Sequence, residues 1–423
     1  MREMKDSGVE WIGKIPTEWD VEKLKYNLFR HELRNYIGKS QVLSVYREYG
    51  VIPKDSRSDN HNVTSEDTSN YKLVKPNNLV INKMKAWQGS MGISNYEGIV
   101  SPAYFIYKFS NKKILPQYLH YLLRSCYKDE FRRISGGIRE GQWDLSPSLF
   151  ENTLLLIPSV VEQDKIVSHI TQKCSEIDAL TADIQTQIET LEEYKKSVIT
   201  EAVTKGLDPN VEMKDSGVEW IGEIPKEWNI IKAKYIFSQR NERGNTKSLQ
   251  LLSPTQKYGV IPQSMYEELT GMKAVKLNDK TDYSLLKTIH SGDFCISLRS
   301  FQGGFEYSDY EGVVSPAYQI FYPTVSIVNK YYKFIFKDQS FIEKMNSYTL
   351  SLRDGKNIAF DDFGNSYLPV PSLQEQQKIA DFLDKKCSEI DLTISEKQQQ
   401  LETLAEYKKS LIYEYVTGKK EVA

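Results

Sequence analysis

The chain states one sequence twice. The run Met4-Lys5-Asp6-Ser7-Gly8-Val9-Glu10-Trp11-Ile12-Gly13 returns 209 positions later as Met213 through Gly222. Tyr49-Gly50-Val51-Ile52-Pro53 returns at the same offset as Tyr258 through Pro262. Tyr96-Glu97-Gly98-Ile99-Val100-Ser101-Pro102-Ala103-Tyr104 returns at offset 214 with Val313 in place of Ile99, and Tyr194-Lys195-Lys196-Ser197 returns at offset 213. A period this long is domain-sized, far above the roughly 20–50 residues of a solenoid repeat. Two copies in one chain imply a pseudo-twofold body, and duplex DNA is a common twofold partner.

A chain of 423 residues exceeds what one compact core organises, so two or three domains are expected. The net charge of −2 conceals a partition. Residues 20–159 hold 20 Lys+Arg against 14 Asp+Glu, and residues 229–370 hold 17 against 14. Residues 160–212 hold 5 against 11, and residues 371–423 hold 8 against 10. Basic blocks suited to phosphate thus alternate with acidic blocks that stand away from it or face another protein. Cys126, Cys174, Cys295 and Cys387 form no C-x-x-C pair, so neither a zinc site nor a disulfide framework is indicated. Cys174 and Cys387 are repeat equivalents expected as small buried side chains. No run of about 20 apolar residues and no signal-peptide pattern occurs, and a cytoplasmic protein is expected.

Each copy reads as a short aromatic lead-in, a mixed segment of about 140 residues, and one long helix. Pro158 ends the strand-like Leu154-Leu155-Leu156-Ile157, and Ser159 with Glu162 forms an S-x-x-E capping box. Apolar residues then recur at Ile166, Ile170, Ile177, Leu180, Ile184, Ile188, Leu191 and Val198, and Gly206 and Pro209 close the helix. The second copy repeats the arrangement from Pro371, Ser372 and Glu375 through Ile379, Leu383, Ile390, Ile394, Leu401, Leu404 and Leu411 to Gly418. Spacings of seven define a narrow seam made for another helix. Each helix would reach about 65 Å at 1.5 Å per residue. Antiparallel pairing of the two within the chain is expected; the alternative is that each covers only its own domain.

Three sets of residues together resemble the specificity subunit of type I restriction-modification systems. One is the lead-in Gly8-Val9-Glu10-Trp11-Ile12-Gly13-x-Ile15-Pro16-x-x-Trp19, found again from Gly217 to Trp228. Another is Ile157-Pro158-Ser159 with Glu162-Gln163-x-x-Ile166, matched by Val370-Pro371-Ser372 with Glu375-Gln376-x-x-Ile379. The third is Gln88-Gly89 followed by Ser101-Pro102-Ala103-Tyr104, matched by Gln302-Gly303 and Ser315-Pro316-Ala317-Tyr318. The resemblance implies an α/β fold: two similar globular target recognition domains separated by two long antiparallel helices forming an intramolecular coiled coil. It implies an arm at 1–19, a recognition domain at 20–157, a central helix at 158–212, a repeat of the arm at 213–228, a second recognition domain at 229–370 and a C-terminal helix at 371–423. It further implies that each domain reads half of a bipartite double-stranded DNA site, with the helices as spacer. The partners would be two methyltransferase (modification) subunits, which methylate adenine, and restriction (translocase/endonuclease) subunits. The chain itself would be non-catalytic and hold no cofactor. Because residues 1–19 match the segment after the first helix, the arm is expected near the end of the second, which would make the molecule quasi-circular.

Phosphate needs cations or backbone N–H groups, base edges need Arg, Gln or Asn, and distorted bases need stacking surfaces. The segment Lys83-Met84-Lys85-Ala86-Trp87-Gln88-Gly89 holds all three, and Ser297 through Gly303 repeats it with Arg299, Phe301 and Gln302. Lys83, Lys85, Trp87, Gln88, Arg299 and Gln302 are therefore candidate DNA contacts, although Trp87 and Phe301 would equally serve as core. Arg139 and Gln142 lie in a Gly-rich stretch echoed by Arg353 and Lys356, a pattern suited to groove or phosphate contact or to a salt-bridged surface loop. Arg57 stands in the polar stretch Lys54 through Asn62, which lacks a clear repeat partner. On the helices, the repeated Tyr194-Lys195 and Tyr407-Lys408 suit two identical partner subunits or a plain solvated face.

No Asn-Pro-Pro-Tyr or Asp-Pro-Pro-Tyr methyltransferase tetrapeptide and no Walker A loop occurs. The five histidines have no metal spacing. Glu193-x-Lys195 falls within a helix without an upstream Pro-Asp, which argues against a nuclease. A stand-alone enzyme with two active sites and a DNA-free coiled-coil scaffold are the competing readings, and the first lacks a catalytic constellation.

Overall fold

The computed structural model describes residues 2–35, 40–47, 49–57, 64, 67–137, 143–243, 249–274, 282–297, 304–348 and 358–422. The chain divides into two units: Met1–Ile184 with Gln399–Ala423, and Gln185–Gln398. Each unit thus contains one arm, one mixed globule, and a portion of both long helices.

In the first unit the arm is a hairpin, Met4–Asp6 against Lys14–Pro16. Gly8 and Gly13 turn it at φ of 70° and 71°, a region that glycine enters without a side-chain clash. The globule is built on a four-stranded antiparallel sheet in the order Leu28–Arg30, Tyr104–Phe109, Leu79–Asn82, Met91–Ile93. Leu79 and Ile81 point into the main core with Trp19, Tyr118 and Phe150. Val80 and Ile106 point the other way, into a smaller cluster with Leu43, Val45, Val51, Val74 and Val100. Both faces are covered, which explains why Leu79-Val80-Ile81 is continuously apolar rather than alternating.

The second unit repeats the plan. Its arm pairs Met213–Asp215 with Glu223–Pro225, and its sheet runs Phe237–Arg240, Gln319–Pro323, Phe294–Ile296, Phe305–Tyr307. Phe294 and Ile296 join the main core, whereas Cys295 and Ile320 join the opposite cluster. All four cysteines are buried and free.

A two-stranded ribbon leads from each globule into its helix. Leu154–Ile157 pairs with Asp20–Lys23, and Tyr367–Val370 pairs with Asn229–Lys232. The helices run Val160–Lys205 and Leu373–Val416. Ser159 Oγ accepts from the Glu162 N–H at 3.2 Å and Ser372 Oγ from the Glu375 N–H at 3.3 Å, the first half of the expected capping box. The carboxylates go elsewhere. Glu162 accepts from the Trp19 indole N–H at 3.1 Å and Glu375 from that of Trp228 at 2.9 Å. Gln163 and Gln376 are buried. Gln163 Oε1 accepts from the Leu115 N–H at 2.7 Å while its amide donates to the carbonyls of Lys113 and Pro158 at 2.7 and 2.8 Å. Gln376 Oε1 accepts from the Val328 N–H at 2.9 Å and its amide donates to Pro371 at 3.0 Å. The repeated Glu-Gln pair therefore fastens arm, globule and helix start together.

Both units hold the helices antiparallel. In the first, His169 meets Tyr415 at 4.5 Å between ring centres and Asp178 meets Lys408 at 2.5 Å. In the second, Gln187 accepts from Lys397 at 2.5 Å and Lys195 meets Asp391 at 2.6 Å. Numbers rise along one helix as they fall along the other. Ile170, Ile177, Ile184, Ile188, Ile394 and Leu411 are buried in the seam, while Leu180 is exposed outside it. Gly206 and Gly418 end the helices at φ of 77° and 69°. A Cβ on Gly418 would stand 2.4 Å from Pro16 Cδ, so the arm abuts the end of the second helix, as the order of the repeat requires. The buried Tyr118 hydroxyl donates to Val416 O at 3.2 Å, and its counterpart Tyr331 donates to Val203 O at 3.0 Å.

Candidate nucleic-acid interface

The repeated Tyr-Glu-Gly stretch is a backbone device. In the first unit Ile99 donates its N–H to Gln41 O at 2.8 Å. This brings the chain so close that a Cβ on Gly98 would lie 2.4 Å from Gln41 O. In the second unit Val313 donates to Gln250 O at 2.9 Å, and a Cβ on Gly312 would lie 2.4 Å from that oxygen. Only glycine fits at either place. The following Ser-Pro-Ala-Tyr folds identically in both. Ala103 and Ala317 donate to Ser101 Oγ and Ser315 Oγ at 3.4 Å, and Lys72 and Lys287 donate to the carbonyls of Tyr104 and Tyr318 at 2.7 Å.

Above this frame the first unit carries a groove of about 410 Å³ whose lining includes Lys54, Tyr71, Asn82, Lys85, Ser101 and Tyr104. Burial raises the Tyr104 phenol, so the hydroxyl stays protonated at neutral pH. Lys85 is exposed at the groove's edge, at the start of the 3-10 turn Ala86–Gln88. Lys83 is turned to Asp144 at 2.7 Å. Trp87 donates its indole N–H to Met84 O at 3.1 Å and packs on Trp143 at 5.5 Å between rings. It is half-buried, so it is neither plain core nor a free stacking surface. Gln88 accepts from Arg47, which ties this segment to the hairpin Leu43–Tyr46/Gly50–Pro53. Arg57 lies 4.6 Å over the ring of Tyr49. Lys54 and Lys85 thus line one groove with the aromatic and amide side chains of Tyr71, Tyr104 and Asn82, a set able to meet both phosphate and base edges.

Sequence reasoning did not single out Arg47, Tyr71 and Asn82. The signal that finds Asn82 is the strand register, which sets it opposite Tyr104; Tyr71 is placed by preceding Lys72, which pairs with Val100. The same register corrects the alignment of the copies. Ile296 pairs with Gln319, so Ser297 corresponds to Asn82 rather than to Lys83, and the second copy is one residue shorter before its Gln-Gly. Arg139, Gln142, Arg299, Gln302, Arg353 and Lys356 lie outside the described residues.

On the helices Lys195 and Lys408 are engaged within the chain, with Asp391 and Asp178 respectively. Tyr194 and Tyr407 are 47% and 52% exposed, and Lys386 stands 5.5 Å over the Tyr194 ring. Among the described residues no group of His, Cys, Asp or Glu could hold a metal ion, and no helix is long and apolar enough to cross a membrane.

Residues 225–403 match the family model of the type I restriction modification DNA specificity domain. The type I restriction enzyme MjaVIII specificity subunit of Methanocaldococcus jannaschii is 26% identical over 435 residues, covering 96% of this chain and 94% of that protein. The fold is similar to a chain in a study of complex assembly and conformational transition of the type I R-M system. Its TM-score is 0.70 at 12% identity, covering 96% of this chain and 99% of that one. It is also similar to the HsdS subunit from Thermoanaerobacter tengcongensis, with a TM-score of 0.54 at 12% identity, covering 96% and 98%. The duplicated frame, the paired helices and these relatives converge: residues 225–403 match a type I restriction modification DNA specificity domain, and over nearly its whole length the chain is similar to the specificity subunits of type I restriction-modification systems.

Proposed function

We propose that this chain reads a bipartite duplex target, with residues 20–157 on one half-site and residues 229–370 on the other. The long helices set the separation of the half-sites and offer a docking surface to two methyltransferase subunits, which restriction subunits then join. The observation that carries this reading is the duplication itself: one frame occurs twice, and each copy is fastened to the start of one helix and the end of the other. Equal frames suit two half-sites of the same geometry, and equal helix surfaces around Tyr194 and Tyr407 suit two equal partners.

In this reading Lys85 and Arg57 approach the DNA in the first unit, joined by Lys83, Trp87, Gln88, Arg139 and Gln142, and Arg299, Gln302, Arg353 and Lys356 do so in the second. Lys195 and Lys408 act by holding the helix pair, with the adjacent tyrosines facing the partner. The test is methylome sequencing of a host carrying the assembled system. Exchanging residues 20–157 for another recognition segment is expected to change one half-site only. Inserting residues into both helices is expected to change the separation and leave both half-sites intact. A half-site altered by the helix insertion would overturn the assignment. Affinity of the complex for its site is expected to fall steeply with salt.

A further inference from the structure

The two copies form an internal control. Where both carry the same residue, the position serves a need common to both half-sites. Where an unchanged frame presents different side chains, the difference has to do with what each unit alone meets.

Around the groove the frame is shared: Ser44 matches Ser253, Ser101 matches Ser315, Ala103 matches Ala317, and Tyr104 matches Tyr318. Three positions that carry a polar side chain in the first unit diverge on this frame. Lys54 follows the hairpin and donates its backbone N–H to Val42 O at 2.8 Å; Gln263 does so to Leu251 O at 3.0 Å. Tyr71 precedes the strand opened by Lys72, and Leu286 precedes the one opened by Lys287. Asn82 donates its backbone N–H to Ser90 O at 3.0 Å, and Ser297 donates to Gly304 O at 2.7 Å. The backbones agree, and the chemistry presented does not. The first unit presents an ammonium group, a phenol and an amide, all half-exposed; the Lys54 ammonium commits one of its three donors to Thr64 Oγ1. The second offers an amide at Gln263, paired with Ser253 Oγ at 3.0 Å, beside Leu286 and Ser297, which are only 4% and 9% exposed.

We propose that Lys54, Tyr71 and Asn82 in the first unit, and Gln263, Leu286 and Ser297 in the second, are specificity-determining positions that select base pairs in their respective half-sites. This rests on the reading of the chain as a bipartite DNA reader. Lys54 supplies donors only and selects a base edge rich in acceptors, as guanine presents in the major groove. Gln263 supplies a donor and an acceptor and selects an edge that offers both, as adenine does. Tyr71 lines the groove with a polar tip, and Leu286 stands buried at the matching place without one.

Exchange between the copies tests this, because each residue is already accommodated on the same frame. The complexes assembled with Lys54→Gln and with Gln263→Lys are compared with the parent by methylome sequencing and by methylation rates on the parental duplex. Lys54→Met, which keeps the apolar stem without the donors, serves as a second variant, and thermal unfolding checks that each variant is folded. Lys54→Gln is expected to change the methylated motif at one base pair of one half-site. The rate on the parental site is expected to fall roughly ten- to hundredfold, with the other half-site and the separation unchanged. Gln263→Lys is expected to do the same on the opposite side. A rate that falls equally on all sequences with an unaltered motif would make Lys54 a backbone contact and overturn the proposal, and so would an unaltered motif at an unaltered rate. A parental complex that methylates no bipartite motif would instead remove the reading beneath it, whatever the variants do.

Discussion

The two units solve the same packing problem with different buried polar groups. Arg124 in the first reaches under the hairpin and donates to the carbonyls of Arg47, Tyr46 and Met91. Lys337, its counterpart, donates to Gln256 O at 3.4 Å, the carbonyl that matches Arg47. Beside Arg124 sits His120, whose Nδ1 accepts from the Ile93 N–H at 3.1 Å. A Cβ on Gly92 would come within 3.2 Å of that ring. In the second unit the place of Gly92 is taken by Glu306, paired with Lys337 at 2.7 Å, and the place of His120 by Lys333. Burial, reinforced by Arg124, pushes the His120 imidazole down to about 3. Burial pushes the Glu306 carboxyl up to about 7 against the pull of Lys337 and Lys333. The lesson is that a buried polar position changes only in company. The imidazole needs glycine opposite it, and the carboxylate needs its lysine.

The comparison breaks first at the glycines. Gly98→Ala is expected to destabilise the first unit by about 3 kcal/mol, and Gly312→Ala the second by a similar amount. Hydrogen exchange resolved along the sequence would check this. Equal loss of protection in both units from a single substitution would mean that they do not stand separately. Next come the buried glutamines. Gln163 makes three hydrogen bonds and Gln376 two. Gln163→Ala is thus expected to cost about 3 kcal/mol and Gln376→Ala about 2 kcal/mol, as measured by chemical denaturation.

The pH dependence should run in opposite senses. His120 titrates lower folded than unfolded, so the unfolded chain takes up the proton first. The first unit is expected to lose stability as pH falls from about 6.5 toward 3. Glu306 titrates higher folded than unfolded. Its contribution is present below about 4.5 and is lost as pH rises to about 7. Glu306→Gln should flatten that limb in the second unit alone; identical trends in both units for the parent chain would contradict the assignment. The smallest effect belongs to the exposed ion pairs. Lys195→Ala and Lys408→Ala are each expected to cost about 0.5 kcal/mol, and a thermal shift of many degrees from either would show a larger role in the helix pair.

Much of this was legible because duplication and heptad spacing are patterns of period. Ile177, Ile184 and Leu411 announced a seam, and Pro158, Gly206 and Gly418 marked its ends within a residue or two. What the chain order hid were contacts set by tertiary geometry. Ser159-x-x-Glu162 reads as a local capping box, yet Glu162 reaches an indole 143 residues away. Lys195 reads as a surface cation on a repeated motif, yet it is held by Asp391 on the other helix. Lys83 and Lys85 are two apart in a polar run, but one is paired with Asp144 and the other faces the groove. Side-chain partners of this kind depend on which elements meet, and no local spacing encodes that.

The discontinuous make-up of the first unit bears on how the chain is born. Residues 185–398 form one unbroken stretch, whereas the unit that begins at the N-terminus closes only with residues 399–423. The Tyr118 hydroxyl and the Trp19 ring wait for Val416 and Gly418, which are synthesised after the whole of residues 185–398. Vectorial synthesis ordinarily lets the earlier domain finish first. Here the later one is expected to gain protease resistance first in ribosome-arrested chains of increasing length, with the earlier one completed only once residues 399–423 have emerged.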